Sequence, residues 1–167
     1  MPFDYEANVN AVRNALNTQN TTTANPDLSS GLTTRVQTVA VDDPNVIGIR
    51  WDMLPAVYVR VADAEEEFAG LGSTGPLTTN VTKFKTVTYE LFGLYGKDGA
   101  SSTHGSVLTE IYRLAENIEG VFQREFTLSG TALYSQAESS AFGSGIGSDG
   151  TRVKGVLVTL RAQYNFR

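Results

Sequence analysis

Few residues of this chain could carry out chemistry, and no familiar catalytic motif contains them. His104 is the only histidine, and a hydrolase triad would need it beside a serine nucleophile and a carboxylate. The sequence has no GxSxG elbow, and its lack of cysteine excludes disulfides, thiolate zinc sites and cysteine nucleophiles. His104 comes at the start of an amphipathic segment, where a polar residue more often caps a helix than serves in catalysis.

Two glycine-rich segments match the GxGxxG pattern, one over residues 70–75 and the other over residues 145–150. A dinucleotide-binding fingerprint must follow a strand and open a helix, so that the pyrophosphate meets the helix N-terminus. Each of these segments is instead followed by a strand-like stretch. We therefore expect no cofactor at either segment, and we predict that the chain is not an enzyme.

An acidic cluster, DAEEEF, covers residues 63–68. Consecutive carboxylates seldom converge on one cation, and the ligand and glycine spacing of a calcium loop is missing. A solvated or partner-facing acidic surface is therefore the favoured interpretation, and no metal site is expected. Together with the Gly/Pro/Thr-rich residues 71–79, the cluster predicts a long surface loop over residues 63–80.

The composition indicates one domain, residues 1–167, with enough apolar side chains (41%) for a real core. The net charge is -5, and residues 1–80 hold four basic side chains against ten acidic ones. This acidic half argues against tight binding to nucleic acid, which needs clustered Lys and Arg. No signal peptide is apparent, and no apolar run is long enough to cross a membrane.

The strongest periodic pattern lies in residues 103–126, where apolar side chains recur at spacings of three and four. This pattern predicts a long amphipathic helix with one wide apolar stripe. Polar residues, Glu110 and Asn117 among them, fill the opposite face. A shorter amphipathic helix is predicted from Asp4, as its N-cap, to Gln19.

Alternating apolar and polar residues predict the strands of the fold. The segment 81–95 is apolar on both faces near its end and is therefore expected to be a central strand. Lys83 and Lys85, at its start, are expected to be solvated. A flexible glycine-rich tip over residues 143–150 should join two strands into a long antiparallel hairpin. The predicted strands cover residues 35–41, 46–51, 53–62, 81–95, 127–142 and 152–166.

Together these elements predict an α+β fold. A mostly antiparallel, twisted sheet is packed by the long helix and the N-terminal helix, because the wide apolar stripe needs a sheet to cover it. The chain ends in the C-terminal β-hairpin. Residues 17–34, rich in Thr, Asn and Ser, are predicted to form a second long loop.

Three stretches carry a family resemblance. They are LPAVYVRV (Leu54–Val61), KTVTYELFGLYG (Lys85–Gly96) followed by the amphipathic helix, and the closing strand GVLVTLRAQY (Gly155–Tyr164). In this order and at this size, the chain resembles the tail terminator (tail completion) proteins of long-tailed bacteriophages. The resemblance lies in the order and size of the elements and covers most of the chain.

The resemblance implies a structural virion protein whose copies form a hexameric ring. The ring would cap the tail tube and join the tail to the head connector, so the implied partners are the tail tube protein and the connector or stopper protein. DNA would pass through an acidic channel without sequence-specific binding. The protein would assemble in the host cytoplasm and reside in the virion neck. The alternatives are a head-closure or other neck adaptor and, from another class, a small α/β ligand-binding domain.

Two polar segments are predicted to make subunit or stacking contacts or to line the channel. Long polar loops on a small core are usually either functional or disordered, which motivates this assignment. The residues predicted to make these contacts are Glu65, Glu66, Glu67, Gly145, Ile146, Gly147 and Asp149.

Overall fold

A computed structural model describes residues 2–21, 27–68, 83–96, 104–150 and 152–166. These residues form three α-helices, two short 3-10 turns and one five-stranded sheet, so the predicted α+β fold is confirmed. The elements are α1 (Tyr5–Thr21), a 3-10 turn (Asp27–Ser29), β1 (Thr38–Val41), α2 (Pro44–Ile47), a 3-10 turn (Trp51–Met53), β2 (Ala56–Phe68), β3 (Lys83–Gly96), α3 (His104–Arg124), β4 (Tyr134–Ile146) and β5 (Arg152–Phe166).

The strands lie in the order β1-β2-β3-β5-β4. β1 is parallel to β2, and every other neighbouring pair is antiparallel. The predicted central position of β3 and the C-terminal hairpin of β4 and β5 are therefore both confirmed. β1 and β4 are the two edge strands of the sheet.

The helices α1 and α3 cover one side of the sheet, which we call the helix-bearing face. The predicted apolar stripe of α3 is buried there, with Leu114 and Ile118 fully inaccessible to solvent. Gly93 of β3 lets α3 approach closely, because a Cβ atom at this position would lie 2.9 Å from Val156 and 3.0 Å from Ile118. The other side, the open face, is covered at one end by the segment 44–54, which packs a smaller apolar cluster.

The N-terminal helix begins as predicted, but the N-terminal segment also contacts Lys85, which was predicted to be solvated. Asp4 caps α1, since its Oδ1 accepts a hydrogen bond of 2.8 Å from the backbone N–H of Ala7. Lys85, expected to be solvated, has only 13% of its side chain exposed. Its Nζ lies 5.1 Å from the ring centroid of Phe3 and 5.0 Å from that of Tyr5. The ammonium group lies over both aromatic rings, which attract its charge.

The loop predicted over residues 17–34 is partly regular. Helix α1 continues to Thr21, a 3-10 turn forms over Asp27–Ser29, and Leu28 is fully buried in the main core. Residues 22–26 lie outside the described part of the chain. A polar composition concealed two leucines that fix this segment to the core, the buried Leu28 and the partly buried Leu32.

The polar side of α3 holds the same segment. Both carboxylate oxygens of Glu110 accept hydrogen bonds of 2.9 Å from Thr33, one from its N–H and one from its hydroxyl. Asn117 donates to the carbonyl oxygens of Leu28 and Ser30, at 3.1 and 2.9 Å. Glu110 is consequently only 6% exposed. The polar face of α3 therefore anchors chain that lies about eighty positions earlier in the sequence.

The strand predicted over residues 46–51 is wrong. This stretch holds the last two of the four residues of the short helix α2, Pro44–Ile47, and leads into the 3-10 turn Trp51–Met53. The side chain of Asp43 accepts a 2.9 Å hydrogen bond from the N–H of Asn45, and a proline follows the cap. An N-cap and a proline in the first turn both favour a helix start over a strand.

The strand predicted over residues 127–142 forms, but it begins later and ends later. Turns occupy residues 126–131, where Leu128 and Ser129 have positive φ angles of 50° and 58°. β4 then runs from Tyr134 to Ile146. The turn that joins it to β5 is therefore shorter than the predicted tip over 143–150.

A buried tyrosine pair makes the stability of the fold sensitive to alkaline pH. The hydroxyls of Tyr89 and Tyr164 are 2.8 Å apart within the core. Burial raises the pKa of Tyr164 to about 12 and also raises the pKa of Tyr89 well above its ordinary value. Because the unfolded pKa is about 10, the stability contributed by this pair is complete below pH 10 and is lost as pH rises towards the folded values.

We expect urea denaturation to show a falling unfolding free energy above pH 10, by up to about 1.4 kcal/mol per pH unit for each tyrosine. The Tyr164→Phe variant should lose the part of this slope that Tyr164 contributes, whereas Tyr58 and Tyr95, whose pKa values burial also raises, should keep theirs. Tyr112→Phe is the matched control, because Tyr112 is 49% exposed and its removal should leave the slope unchanged. A flat profile up to pH 11.5 would contradict the burial of this pair.

Candidate assembly surface

The acidic cluster over residues 63–68 forms the second half of β2, which corrects the predicted loop over residues 63–80. Every residue of the cluster is paired with β3, and this pairing keeps the charged segment extended. Side chains alternate between the faces of a strand, so Glu65 and Glu67 project from the open face and Glu66 from the helix-bearing face. The rest of the predicted loop lies outside the described residues.

Basic side chains on neighbouring strands lie next to this cluster. Oxygen atoms of Glu66 are 3.3 Å from the Nζ of Lys83 and 3.7 Å from that of Lys85. On the open face, Glu65 lies 3.8 Å from Arg161. Pairs this exposed are each worth about 1 kcal/mol or less, but together they reduce the repulsion between adjacent carboxylates and so permit a strand here.

The acidic cluster lies on a free edge of the sheet. β1 pairs only with Ala56–Val59, so among the described strands none lies beyond the later residues of β2. Charged side chains on an edge discourage its pairing with another chain. The carboxylates therefore protect this part of the sheet from association.

The predicted glycine-rich contact residues lie at the other end of the sheet. Gly145 and Ile146 are the last residues of β4, and Gly147 and Asp149 belong to the turn that follows. β5 starts beside this turn and ends beside the first residues of β3, which in turn pair with the acidic end of β2. The structure therefore does not bring the two predicted groups of contact residues together.

The turn between β4 and β5 is bonded to the segment that covers the open face. Ser148 donates two hydrogen bonds to the carbonyl oxygen of Ile49, from its N–H at 2.8 Å and from its hydroxyl at 3.0 Å. A Cβ atom on Gly147 would lie 2.6 Å from the same oxygen. Glycine at 147 is therefore required for this contact.

Gly147→Ala should separate the turn from Ile49 and lower the unfolding free energy by about 1–2 kcal/mol, as overpacking commonly does. Gly145→Ala is the matched control, because a Cβ atom there meets nothing within 4 Å. Urea denaturation of both variants tests this expectation. Equal stabilities would contradict the described docking of the turn.

An ion cluster holds the start of this covering segment on the sheet. The guanidinium of Arg60 in β2 bonds to both Asp43 and Glu90 and lies 5.0 Å from the ring centroid of Phe92. A backbone hydrogen bond from Asn45, followed by the bond from Arg60, lowers the pKa of Asp43. The cluster thus positions the chain that forms one wall of a groove on the open face.

That groove has a volume of about 590 Å³. Phe92 and Leu157 contribute to its lining from the central strands, together with Ile49 from the covering segment. The last residues of β4, over 141–146, line it from the edge of the sheet. Apolar surface therefore continues from the open face to the β4 edge.

The edge strand β4 is long, nearly uncharged and exposed over its second half, in contrast to the acidic edge. It is 13 residues long, and Glu138 is its only charged residue. All side chains over residues 141–146 are exposed. Apart from Glu138 and one register shift between Ala137 and Ser139, it lacks the features that usually prevent an edge strand from pairing.

Exposed apolar side chains cluster along this edge. Phe142 is 52% exposed and packs against Tyr112 of α3, with ring centroids 5.1 Å apart, and Ile146 is 77% exposed. Within the described residues, eleven large apolar side chains are exposed, and seven of them lie on α3, on β4 or on the chain between these two elements. These seven are Leu108, Tyr112, Phe126, Leu133, Tyr134, Phe142 and Ile146. We call them, with the outer edge of β4, the β4 surface.

Sequence reasoning identified only one end of the β4 surface, through Gly145 and Ile146. The available signal was the run of Ser, Ala and Gly residues over 139–147, interrupted only by Phe142 and Ile146. It suggested a flexible tip because small residues are common in turns. Its near absence of charge is instead what distinguishes it as an edge able to pair.

The described residues contain no group of three or more His, Cys, Asp or Glu that could hold a metal ion. Of the two GxGxxG segments, 145–150 is followed by β5, as predicted, whereas 70–75 lies outside the described residues. His104 is the first residue of α3. None of the helices over the described ranges is long and apolar enough to span a membrane.

Comparison with known proteins assigns no family. No protein-family model matches the chain, and a search of curated proteins gives no significant match. Function is therefore inferred from the surfaces of the protein and from the resemblance in element order.

Proposed function

We propose that the chain is a structural virion protein whose copies form a ring at the end of a bacteriophage tail tube. The ring would close the finished tube and join the tail to the head connector. The β4 surface is the observation that supports this most. A long, exposed and nearly uncharged edge strand flanked by apolar side chains is typical of a surface that associates with another polypeptide.

The unequal edges of the sheet favour a ring over a simple pair. A ring forms when two different surfaces of one protein fit each other and the rotation between copies closes. One edge here is the long β4, whereas the other consists of the short β1 and the acidic end of β2, so the edges are not interchangeable. Head-to-tail association suits this asymmetry.

The acidic end of β2 supports the passage of DNA through such a ring. Asp63, Glu65 and Glu67 are exposed, and the chain carries a net charge of -5. Carboxylates repel phosphates, whereas tight binding to DNA requires clustered basic groups. A channel lined by this end of the sheet would let DNA slide without being held.

The proposal is tested by native mass spectrometry over a wide range of concentrations, with negative-stain images of the protein alone and mixed with terminator-free tail tubes. We expect a ring, hexameric by the family resemblance, and a cap at one end of each tube. A stable monomer that never associates with tubes would overturn the proposal. A ring that binds isolated head connectors but no tube end would identify a head-closure adaptor instead.

A further inference from the structure

We infer that β4 of one copy pairs in antiparallel fashion with β1 of the next copy, so that the sheet continues from subunit to subunit around the ring. This inference rests on the proposed ring and names the contact that would close it. The directions of the strands, their alignment across the sheet and the chemistry of the two edges each support it.

The strand directions are the first support. β1, β2 and β5 run one way, and β3 and β4 run the other way. When copies repeat around an axis parallel to the strands, β4 of one copy meets β1 of the next, and the two strands are antiparallel. A β4–β4 pair would also be antiparallel, but it is isologous and ends at a dimer.

The alignment of residues across the sheet fixes the register of this contact. One transverse row of paired residues consists of Phe142, Val156, Gly93, Val57 and Val39. If neighbouring copies lie at the same level, Phe142 is therefore opposite Val39 of the next copy.

The adjacent row of paired residues, whose side chains lie on the open face, also indicates which residues of neighbouring copies are opposite each other. It consists of Ala141, Leu157, Phe92, Tyr58 and Ala40. Ala141 is therefore opposite Ala40 of the next copy. Both are alanines at edge positions, so the backbones can approach without obstruction by large side chains.

The chemistry of the two edges matches in this register. Val39 packs against the core of the helix-bearing face, and Phe142 contacts α3 on that same face, so the pair combines an aromatic with a β-branched side chain. Such cross-strand pairs stabilise sheets. Neither Thr38–Val41 nor Ser139–Ile146 contains a charged residue.

The acidic part of β2 does not oppose this contact. β1 lies beside Ala56–Val59 only, so the carboxylates from Asp63 onwards come opposite the first half of β4. Where β1 does not lie between them, the backbones of β4 and β2 are two strand spacings apart, about 9.6 Å. A ladder of four residue pairs is short, but each copy in a closed ring makes two such contacts, and ring closure raises the apparent affinity.

Cysteine cross-linking tests the pairing, and the natural chain supplies a clean background because it contains no cysteine. Directly opposed residues in antiparallel strands are close enough for a disulfide. We expect the oxidised Ala40→Cys/Ala141→Cys variant to give a series of covalent multimers up to the size of the ring on a non-reducing gel. Each single variant should stay monomeric on that gel, and their mixture should give dimers.

Ser144→Cys is the matched control, because it lies in the middle of the exposed half of β4, where β4–β4 pairing would bring two copies together. Covalent dimers from Ser144→Cys alone would overturn the inference. A ring seen by mass spectrometry and microscopy without multimers when Ala40→Cys is combined with Ala141→Cys, Ser139→Cys or Gly143→Cys would also overturn it, while the proposed function would stand. Absence of any ring would overturn both. Linkage of Ala40→Cys to Ser139→Cys or Gly143→Cys would support the pairing with a shifted register.

Discussion

Ile118→Asp should abolish folding. Ile118 is fully buried and points at Gly93, where α3 comes closest to the sheet. An aspartate there would place a carboxylate in the apolar core without a partner, at a cost of several kcal/mol, and would lose the buried side chain, at a cost of about 2 kcal/mol or more. The total is comparable with the whole stability of a domain, about 5–15 kcal/mol.

Circular dichroism and urea denaturation of purified Ile118→Asp measure this effect. Glu116→Asp is the matched control, because it introduces the same residue into α3 at an exposed position and should cost well under about 1 kcal/mol. Ile118→Val should fold, with a loss of about 1 kcal/mol. A soluble Ile118→Asp protein with a cooperative transition would mean that α3 does not organise this core.

The elements that bury one complete face could be predicted from the sequence. The stripe of α3 and the alternation in β3 and β5 are dictated by burial, which leaves a periodic record in the residues themselves. The α+β class followed from these elements. Sequence periodicity fails where tertiary partners decide the structure, as in the acidic half of β2, which is extended because Lys83, Lys85 and Arg161 lie beside it.

Two further differences between prediction and structure also arise from contacts between distant parts of the chain. Glu110 and Leu28 are distant in sequence, yet the segment that contains Leu28 lies on the polar side of α3. Amphipathic periodicity describes which face of a helix is apolar, and it does not say whether other chain covers the polar face. Lys85 likewise is covered by Phe3 and Tyr5, which no local pattern around the lysine could indicate.

The candidate site was only partly accessible from the sequence. Composition drew attention to Glu65–Glu67 and to Gly145–Gly147, and their roles in contacts stay predictions. The structure adds that the first group lies on a charged edge and the second at the end of an edge strand whose only charged residue is Glu138. An edge strand cannot be distinguished from an interior strand by its own residues, because edge position depends on the order of all the strands.

Phe142→Lys/Ile146→Lys should prevent assembly without harming the fold. Both side chains are on β4, with 52% and 77% of their surfaces exposed, so the monomer can keep the new ammonium groups in water. In a subunit contact the ammonium group at 142 would lose hydration opposite the uncharged β1, and the one at 146 would lie just beyond the end of that strand. Charge is a common means of blocking edge pairing. We expect association to weaken by about a hundredfold or more, which corresponds to about 3 kcal/mol.

Native mass spectrometry and tube-capping images measure this loss, and urea denaturation checks that stability is unchanged. Asn17→Lys/Thr18→Lys is the matched control, because it adds the same charge at exposed positions of α1 and should leave the ring intact. If both double variants assemble equally well, the β4 surface is not a subunit contact. If both fail, net charge governs assembly. If only the β4 variant fails to assemble, this edge is a ring contact. Both double variants carry the same added charge, and they differ only in the position of that charge.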